Sequence, residues 1–474
     1  MKAARRNAQL MKQSLSTLVV LLLLGFGVTN VLYAQAGFDP SKGSVAVDVL
    51  DSSGAVIQSA KVTLLGPTGS QSATADTRGQ AVFYNLIPGK YAVKVEFQGF
   101  RTAEYQNVAV SASQRAAVQA RLEPGAVTET VQVTETAVQV DTSSTTTGAT
   151  ITDQTVANLP VARNIASLLT LAPGVASGGG TGASNPSISG ASGLENQYVI
   201  DGINATDSGY GAFGVYSNRY GSMGTGVNFD FVKEVQVKSG GFEAQYGQAL
   251  GGIVNVVTHS GTNEIHGAVY AYTAPGFAEG TYKQPNDNLV QELVSETHGR
   301  SSYDFGVNIG GPAIQNRLFW YGSFNPSFST RQRMGPDGLA LRTVGELPWK
   351  TKNYNWVGKV NFEINANHHL EGTAFGDPSR DPMGFHGSTV RDETLTGEGS
   401  SALTYGTRNW AVKYNGLFGA NTLLNGQFAW NHTYFGSAQE SDGRAGLRPI
   451  SVRGVFGYTA QFDGTRMDQD PGLA

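Results

Sequence analysis

Cysteine is missing from the whole chain of 474 residues. That absence excludes thiolate catalysis, Cys-ligated zinc and a disulfide framework. Charge is sparse and nearly balanced, 15% of residues and a formal net charge of −4, and no basic stripe is present, so nucleic acid is set aside as a partner. Signature motifs of catalysis are also absent: there is no His-Glu-x-x-His, no P-loop, no nucleophile elbow and no dinucleotide fingerprint. The histidines are scattered, and the adjacent pair His368-His369 has no third ligand nearby. The reading is of a non-enzyme that requires no cofactor or metal. Long apolar runs are confined to the N-terminus, so any other membrane contact has to come from strands.

Glycine, by contrast, is abundant at 61 residues, and aromatics make up 10%, a mix that suits short strands and tight turns. The N-terminus reads as a secretory signal over 1–36. Lys2, Arg5, Arg6 and Lys12 precede an apolar run centred on Leu18–Leu24, and Ala34-Gln35-Ala36 supplies a small-residue cleavage site. With no cysteine after that site, lipoprotein processing is excluded.

Residues 43–123 read as a small all-β domain. Val45, Val47 and Val49 alternate with polar neighbours, as do Tyr91, Val93, Val95 and Phe97, and turn residues recur at Asp51–Gly54, Asp76–Gly79 and Pro88-Gly89. A Thr- and Val-rich link follows over 124–150. The run from Phe231 to Asn263 then gives strand, turn and strand. Val232, Val235 and Val237 alternate with Lys233, Glu234, Gln236 and Lys238, Gly240-Gly241 breaks the strand, and Ile253–Thr258 is a β-branched strand closed by Ser260–Asn263. After Asn263 amphipathic strands alternate with short turns, at 311–317, 365–367 and 419–421, and with long polar loops, at 274–301, 332–352 and 376–407. That alternation is the pattern of a transmembrane β-barrel.

Tyr246-Gly247, Gly251-Gly252 and Ile253–Thr258 with Asn255 at its centre resemble the closing segment of the plug domain of TonB-dependent outer-membrane receptors. Upstream, Tyr198–Ile203 with its Asp201-Gly202 turn resembles the central plug strand, and the order Leu159-Pro160, Arg163-Asn164, Leu168-Leu169, Pro173-Gly174-Val175 resembles the start of a plug. The pattern over 43–123 resembles the carboxypeptidase regulatory-like domain, without zinc ligands. The hairpins after 263 resemble the opening of an Oar-like barrel. The resemblance implies a mainly β chain: an Ig-like or prealbumin-like sandwich, an α+β plug over 151–262, and the first strands of an antiparallel barrel over 263–474. About seven strands are countable where such transporters have about 22, so a fragment or a truncated product is expected.

The same resemblance implies a role and partners. The role is uptake of an unidentified small ligand (carbohydrate, peptide or metal chelate) across the outer membrane, among outer-membrane lipid, driven by a TonB-type energy-coupling protein. Glu129, Thr130, Val131, Gln132 and Val133 resemble the short box that such a protein pairs with by strand addition, and read equally as the first plug strand. The insertion between Ile203 and Phe231 carries Tyr210, Phe213, Tyr216 and Tyr220, which either face ligand or pack on the barrel wall. Two other roles fit the same residues, a non-transporting surface or adhesion protein and an inactive remnant.

Overall fold

The structure, a computed structural model, describes residues 39–125, 130–133, 145–159, 163–178, 184–217, 221–243, 246–247, 249–278, 296–334, 347–383, 401–419 and 422–439. The expected signal segment, with Ala34 and Ala36, lies outside the described residues, as do Glu129 and Tyr220.

Seven strands, β1 (Gly43–Asp51), β2 (Lys61–Gly66), β3 (Gly69–Thr74), β4 (Gln80–Leu86), β5 (Gly89–Glu96), β6 (Thr102–Val110) and β7 (Arg115–Leu122), form the sandwich. One sheet has the order β4-β1-β7. The other has the order β3-β2-β5-β6 and is extended at its edge by β8 (Thr130–Val133). The alternating valines point inward from both sheets. Val45, Val47, Val49, Val62, Val93 and Val95 are all fully buried in one core with Phe83 and Leu122. Burial of this kind, about 25 cal/mol per Å² of apolar surface, is what drives two amphipathic sheets together.

The plug follows. Its strands are β9 (Thr147–Thr152), β10 (Val175–Ala176), β11 (Ser187–Ile188), β12 (Gln197–Ile200), β13 (Ile203–Asn204), β14 (Val215–Ser217), β15 (Gly221–Gly224), β16 (Val232–Gly240) and β17 (Ile253–Thr258), and its helices are α1 (Asp153–Ala157) and α2 (Ile165–Leu169). The main sheet has the order β13-β12-β17-β16-β9. The β-branched run Ile253–Thr258 is its central strand and is buried at every residue, whereas Gln197–Ile200, expected at the centre, lies beside it. Asn164 caps α2, its Oδ1 accepting from the Ser167 amide at 2.9 Å, and Ile165, Leu168 and Leu169 anchor that helix in the plug core. Thr147–Thr150 already belong to the sheet, ahead of the boundary expected at 151.

The third part is an antiparallel sheet of long strands: β18 (His266–Ala274), β19 (Glu296–Ile314), β20 (Leu318–Met334), β21 (Leu347–Asn365), β22 (His368–Gly376), β23 (Ser379–Met383), β24 (Ser401–Phe418) and β25 (Thr422–Gln439). β22 and β23 both pair with β21 and β24, so they act as one strand interrupted at Asp377-Pro378. Among the described residues the sheet therefore holds seven strand positions, matching the number countable from the sequence. The long polar loops are shorter than expected, because strands run on into them, β19 from Glu296 and β21 from Leu347. Once a strand rises past the lipid both faces meet water, so apolar alternation no longer marks it.

The faces of this sheet are inverted relative to the other two domains. Val360, Leu370, Val412 and Trp410 are outward and exposed, whereas Lys359, Asn361, Glu371, Thr373, Lys413 and Asn415 alternate with them and are buried. An apolar outside and a polar inside is the arrangement of a membrane barrel wall. No helix among the described residues is long and apolar enough to cross a membrane.

Candidate functional site: the junction of sandwich, plug and wall

The centre of the junction is a hairpin. Asp201 and Gly202 join β12 to β13 with φ of 46° and 75°, the paired left-handed conformation that an Asp-Gly turn supplies. The Asp201 side chain is wholly buried. Its carboxylate accepts from the Thr258 amide at 3.0 Å and hydroxyl at 2.5 Å, and from Lys359 Nζ of β21 at 2.8 Å. Lys359 also donates to the Thr258 carbonyl at 3.1 Å. One residue thus closes the turn, ties β12 to β17 and binds the plug to the wall. Sequence reasoning saw the turn and missed Lys359, whose only signal was a lysine at an inward position of an alternating strand.

A second group of charges lies beside it. Lys42 Nζ meets Glu371 at 2.5 Å, Lys413 meets the other oxygen of Glu371 at 3.3 Å and Asp39 at 3.4 Å, and Asn361 donates to Glu371 at 2.7 Å. Lys413 also reaches Ser41 Oγ at 3.0 Å, and Asn415 reaches Asp39 at 3.2 Å. Asp39, Ser41 and Lys42 lead into the sandwich, whereas Glu371, Lys413 and Asn415 line the wall. Burial acts to raise the Asp39 carboxyl, but Lys413, aided by Lys42, outweighs it and holds the group below its ordinary value. For Lys42, burial acts to lower the amine, and Glu371 and Asp39 more than reverse it. Both ends stay charged because they meet in pairs.

The sandwich also touches the plug sheet. Asn255 in the centre of β17 donates to the Pro40 carbonyl at 2.6 Å. Glu234 accepts from the Ala112 amide at 2.6 Å, and Gln236 donates to the Ala112 carbonyl. Glu234, Gln236 and Lys238 are buried polar residues of β16. Burial pushes the Glu234 carboxyl up to about 7, against the Ala112 amide.

The remaining sequence-selected residues serve the plug itself. The Gly252 amide donates to Asn196 Oδ1 at 2.9 Å, and a Cβ there would meet Ile188 at 2.5 Å, so close packing demands glycine. A Cβ at Gly251 would lie 2.4 Å from the same Asn196 oxygen, whereas one at Gly247 would meet nothing. Tyr246 is buried, with Lys238 Nζ 4.9 Å from its ring centre. Arg163 binds Asp230 at 2.5 Å and Asp304 of the wall at 3.5 Å.

The sequence left two alternatives open. Phe213 does not face a ligand: it is wholly buried and stacks on Tyr198 with ring centres 4.7 Å apart, since a large apolar ring gains most in the core. Tyr210 and Tyr216 are half-buried and meet edge to face at 5.4 Å. Thr130–Val133 are not the first plug strand either. They pair in parallel with Thr102–Tyr105 and belong to the sandwich sheet, whose open β6 edge offers unpaired backbone groups.

A plug sheet seated against the polar face of long antiparallel strands defines the class of plugged outer-membrane receptors. Two family models match, the carboxypeptidase regulatory-like domain over residues 44–123 and the TonB-dependent receptor plug domain over 138–253. The chain is 27% identical over 468 residues to the TonB-dependent transporter Oar of Myxococcus xanthus, covering 89% of this chain and 43% of that protein. It is 30% identical over 229 residues to the probable TonB-dependent siderophore receptor PirA of Acinetobacter baumannii, covering 44% of this chain and 28% of that one. Among solved structures, the outer-membrane transporter YddB of Escherichia coli matches with a TM-score of 0.50 at 15% identity, over 62% of this chain and 40% of the other, a likeness of fold. The chain spans less than half the length of each of these relatives. The chain thus carries a plug domain of the TonB-dependent receptor type and is similar along most of its length to a TonB-dependent transporter.

Proposed function

We propose that the chain takes up a small ligand across the outer membrane by energy-coupled remodelling of its plug. The observation that carries this reading is the polar seam between plug and wall. Asp201–Lys359 and Arg163–Asp304 hold the plug by charge, and polar contacts exchange for water when the plug moves, whereas an apolar seam would resist hydration. Thr130–Val133, with Glu129, form the peptide to which a TonB-type protein adds a strand, using backbone groups that any β-branched sequence supplies. The signal segment is removed after Ala36, and the sandwich and the underside of the plug lie on the periplasmic side. The ligand class is carbohydrate, peptide or metal chelate. The probable siderophore receptor among the relatives makes ferric chelates the first to test.

The test is deletion of 129–133 in cells that depend on the receptor for a radiolabelled ferric chelate, with oligosaccharide and peptide panels run beside it. Uptake lost with surface level unchanged is expected. Uptake retained at the parental rate removes the box assignment.

A further inference from the structure

We propose that the sandwich domain is a latch on the plug, released when the coupling peptide is pulled. The inference rests on the energy-coupled reading above and adds the order of events: sandwich first, plug second.

Three observations carry it. First, the sandwich is fastened at once to wall and plug. Asp39 and Lys42 pair with Lys413 and Glu371 of the wall, while Pro40 and Ala112 bond Asn255, Glu234 and Gln236 of the plug. The charges are nine-tenths or more buried. A plug sheet whose β16 and β17 are capped in this way cannot shift relative to the wall while the cap is in place.

Second, the fastening is polar throughout. Besides the groups above, the Asn263 amide donates to the Pro67 carbonyl at 2.9 Å and Gln114 Nε2 donates to Thr150 Oγ1 at 3.2 Å. The same boundary holds two clefts. One of about 730 Å³ is lined by Pro67 and Pro88 of the sandwich and by Lys233, His259 and Tyr321 across from them. One of about 310 Å³ lies between Ser70 and Arg317. A contact made of ion pairs and a few hydrogen bonds, flanked by open clefts, separates without exposing a large apolar face, so water can replace its partners.

Third, the peptide is attached to the latch. β8 pairs with β6 of the sandwich, and only residues 123–129 separate it from the end of β7. Residues 134–146 separate it from β9 of the plug. At no more than about 3.3–3.6 Å per residue, the seven-residue tether to the sandwich tightens before the thirteen-residue tether to the plug. A pull on Thr130–Val133 therefore loads the sandwich first.

The absence of cysteine from these 474 residues simplifies the test. Ser70→Cys with Arg317→Cys reports sandwich against wall. Asn204→Cys with Asn431→Cys reports plug against wall, because Asn431 Nδ2 donates to the Asn204 carbonyl at 2.8 Å. Each pair is placed in the full chain and treated in cells with a short bis-maleimide, with the membrane energised or discharged by a protonophore, and with or without residues 129–133. Energising should lower the sandwich–wall yield several-fold, and deletion of 129–133 should restore it. Lys42→Met should lower that yield even in discharged cells. A plug–wall yield that changes while the sandwich–wall yield holds overturns the latch and leaves energy coupling intact. No change in either pair overturns both.

Discussion

At Asp201 a single side chain carries a turn, a strand junction and a domain contact. Breaking a buried ion pair by removing one partner leaves the other charge unmatched, at about 3–5 kcal/mol, whereas removing both together is close to neutral. Lys359→Met alone should therefore lower the urea midpoint of plug unfolding sharply, and adding Asp201→Asn should recover much of it. A double variant as unstable as the sum of the singles would sink the pairing. Glu234 sets a pH dependence. Its folded value of about 7 lies above the ordinary 4.5, so the folded state holds the proton more tightly. The stability tied to this buried carboxyl is fully present below about 4.5, is lost as pH rises to about 7 and is flat above, because burial disfavours the charge more than the Ala112 amide favours it. Lys233 and Asp153 also act on the group, in opposite senses. Unfolding titrations between pH 4 and 8 (roughly the span of the two values) should show this falling stability, and Glu234→Gln should flatten it.

Among the elements, β16 and β17 show how one strand serves two neighbours. β17 is central, with both faces covered, and β16 turns Val235 and Val237 into the plug core and Glu234 and Gln236 toward the sandwich. β9 closes the edge of that sheet, and its approach to β16 is set by Gly148, where a Cβ would fall 2.0 Å from the Val237 carbonyl at a φ of 157°. Gly148→Ala should fray β9, seen as faster amide exchange over Thr147–Thr152. Gly54→Ala is the control. Its φ of 89° carries strain of about 1 kcal/mol, but nothing lies within 4 Å of the added carbon, so the plug should be unaffected.

Over the whole molecule, the wall's polarity decides which substitutions it tolerates. Val360 faces outward at 47% exposure and its neighbour Asn361 faces the junction at 4%. A charge on the lipid face near the bilayer midplane costs about 2–4 kcal/mol. Val360→Lys should thus reduce recovery of folded protein from outer membranes. Val360→Leu should not, and equal recovery of the two would place Val360 away from lipid.

The order of domains was legible from residues alone. Period-2 valines specify the sandwich, a β-branched run bounded by glycines specifies a plug strand, and alternation broken by short turns specifies the wall, because each pattern reports which face of one strand meets apolar surroundings. The Asp201-Gly202 turn was legible for the same local reason, since only a few residues adopt its backbone conformation. What tertiary structure alone decided is which polar face meets which. Lys359 and Asp201 are 158 positions apart, and Lys413 and Asp39 are 374 apart. Nothing in a strand's alternation tells a polar face that will meet water from one that will meet another domain's charges. Phe213 and Thr130–Val133 stayed between alternatives for that reason: an aromatic in an insertion and a β-branched run in a linker carry the same local signal wherever they dock. Pairing across such separations is fixed by the assembled surfaces, because burial makes an unmatched charge so unfavourable that only the matched arrangement persists.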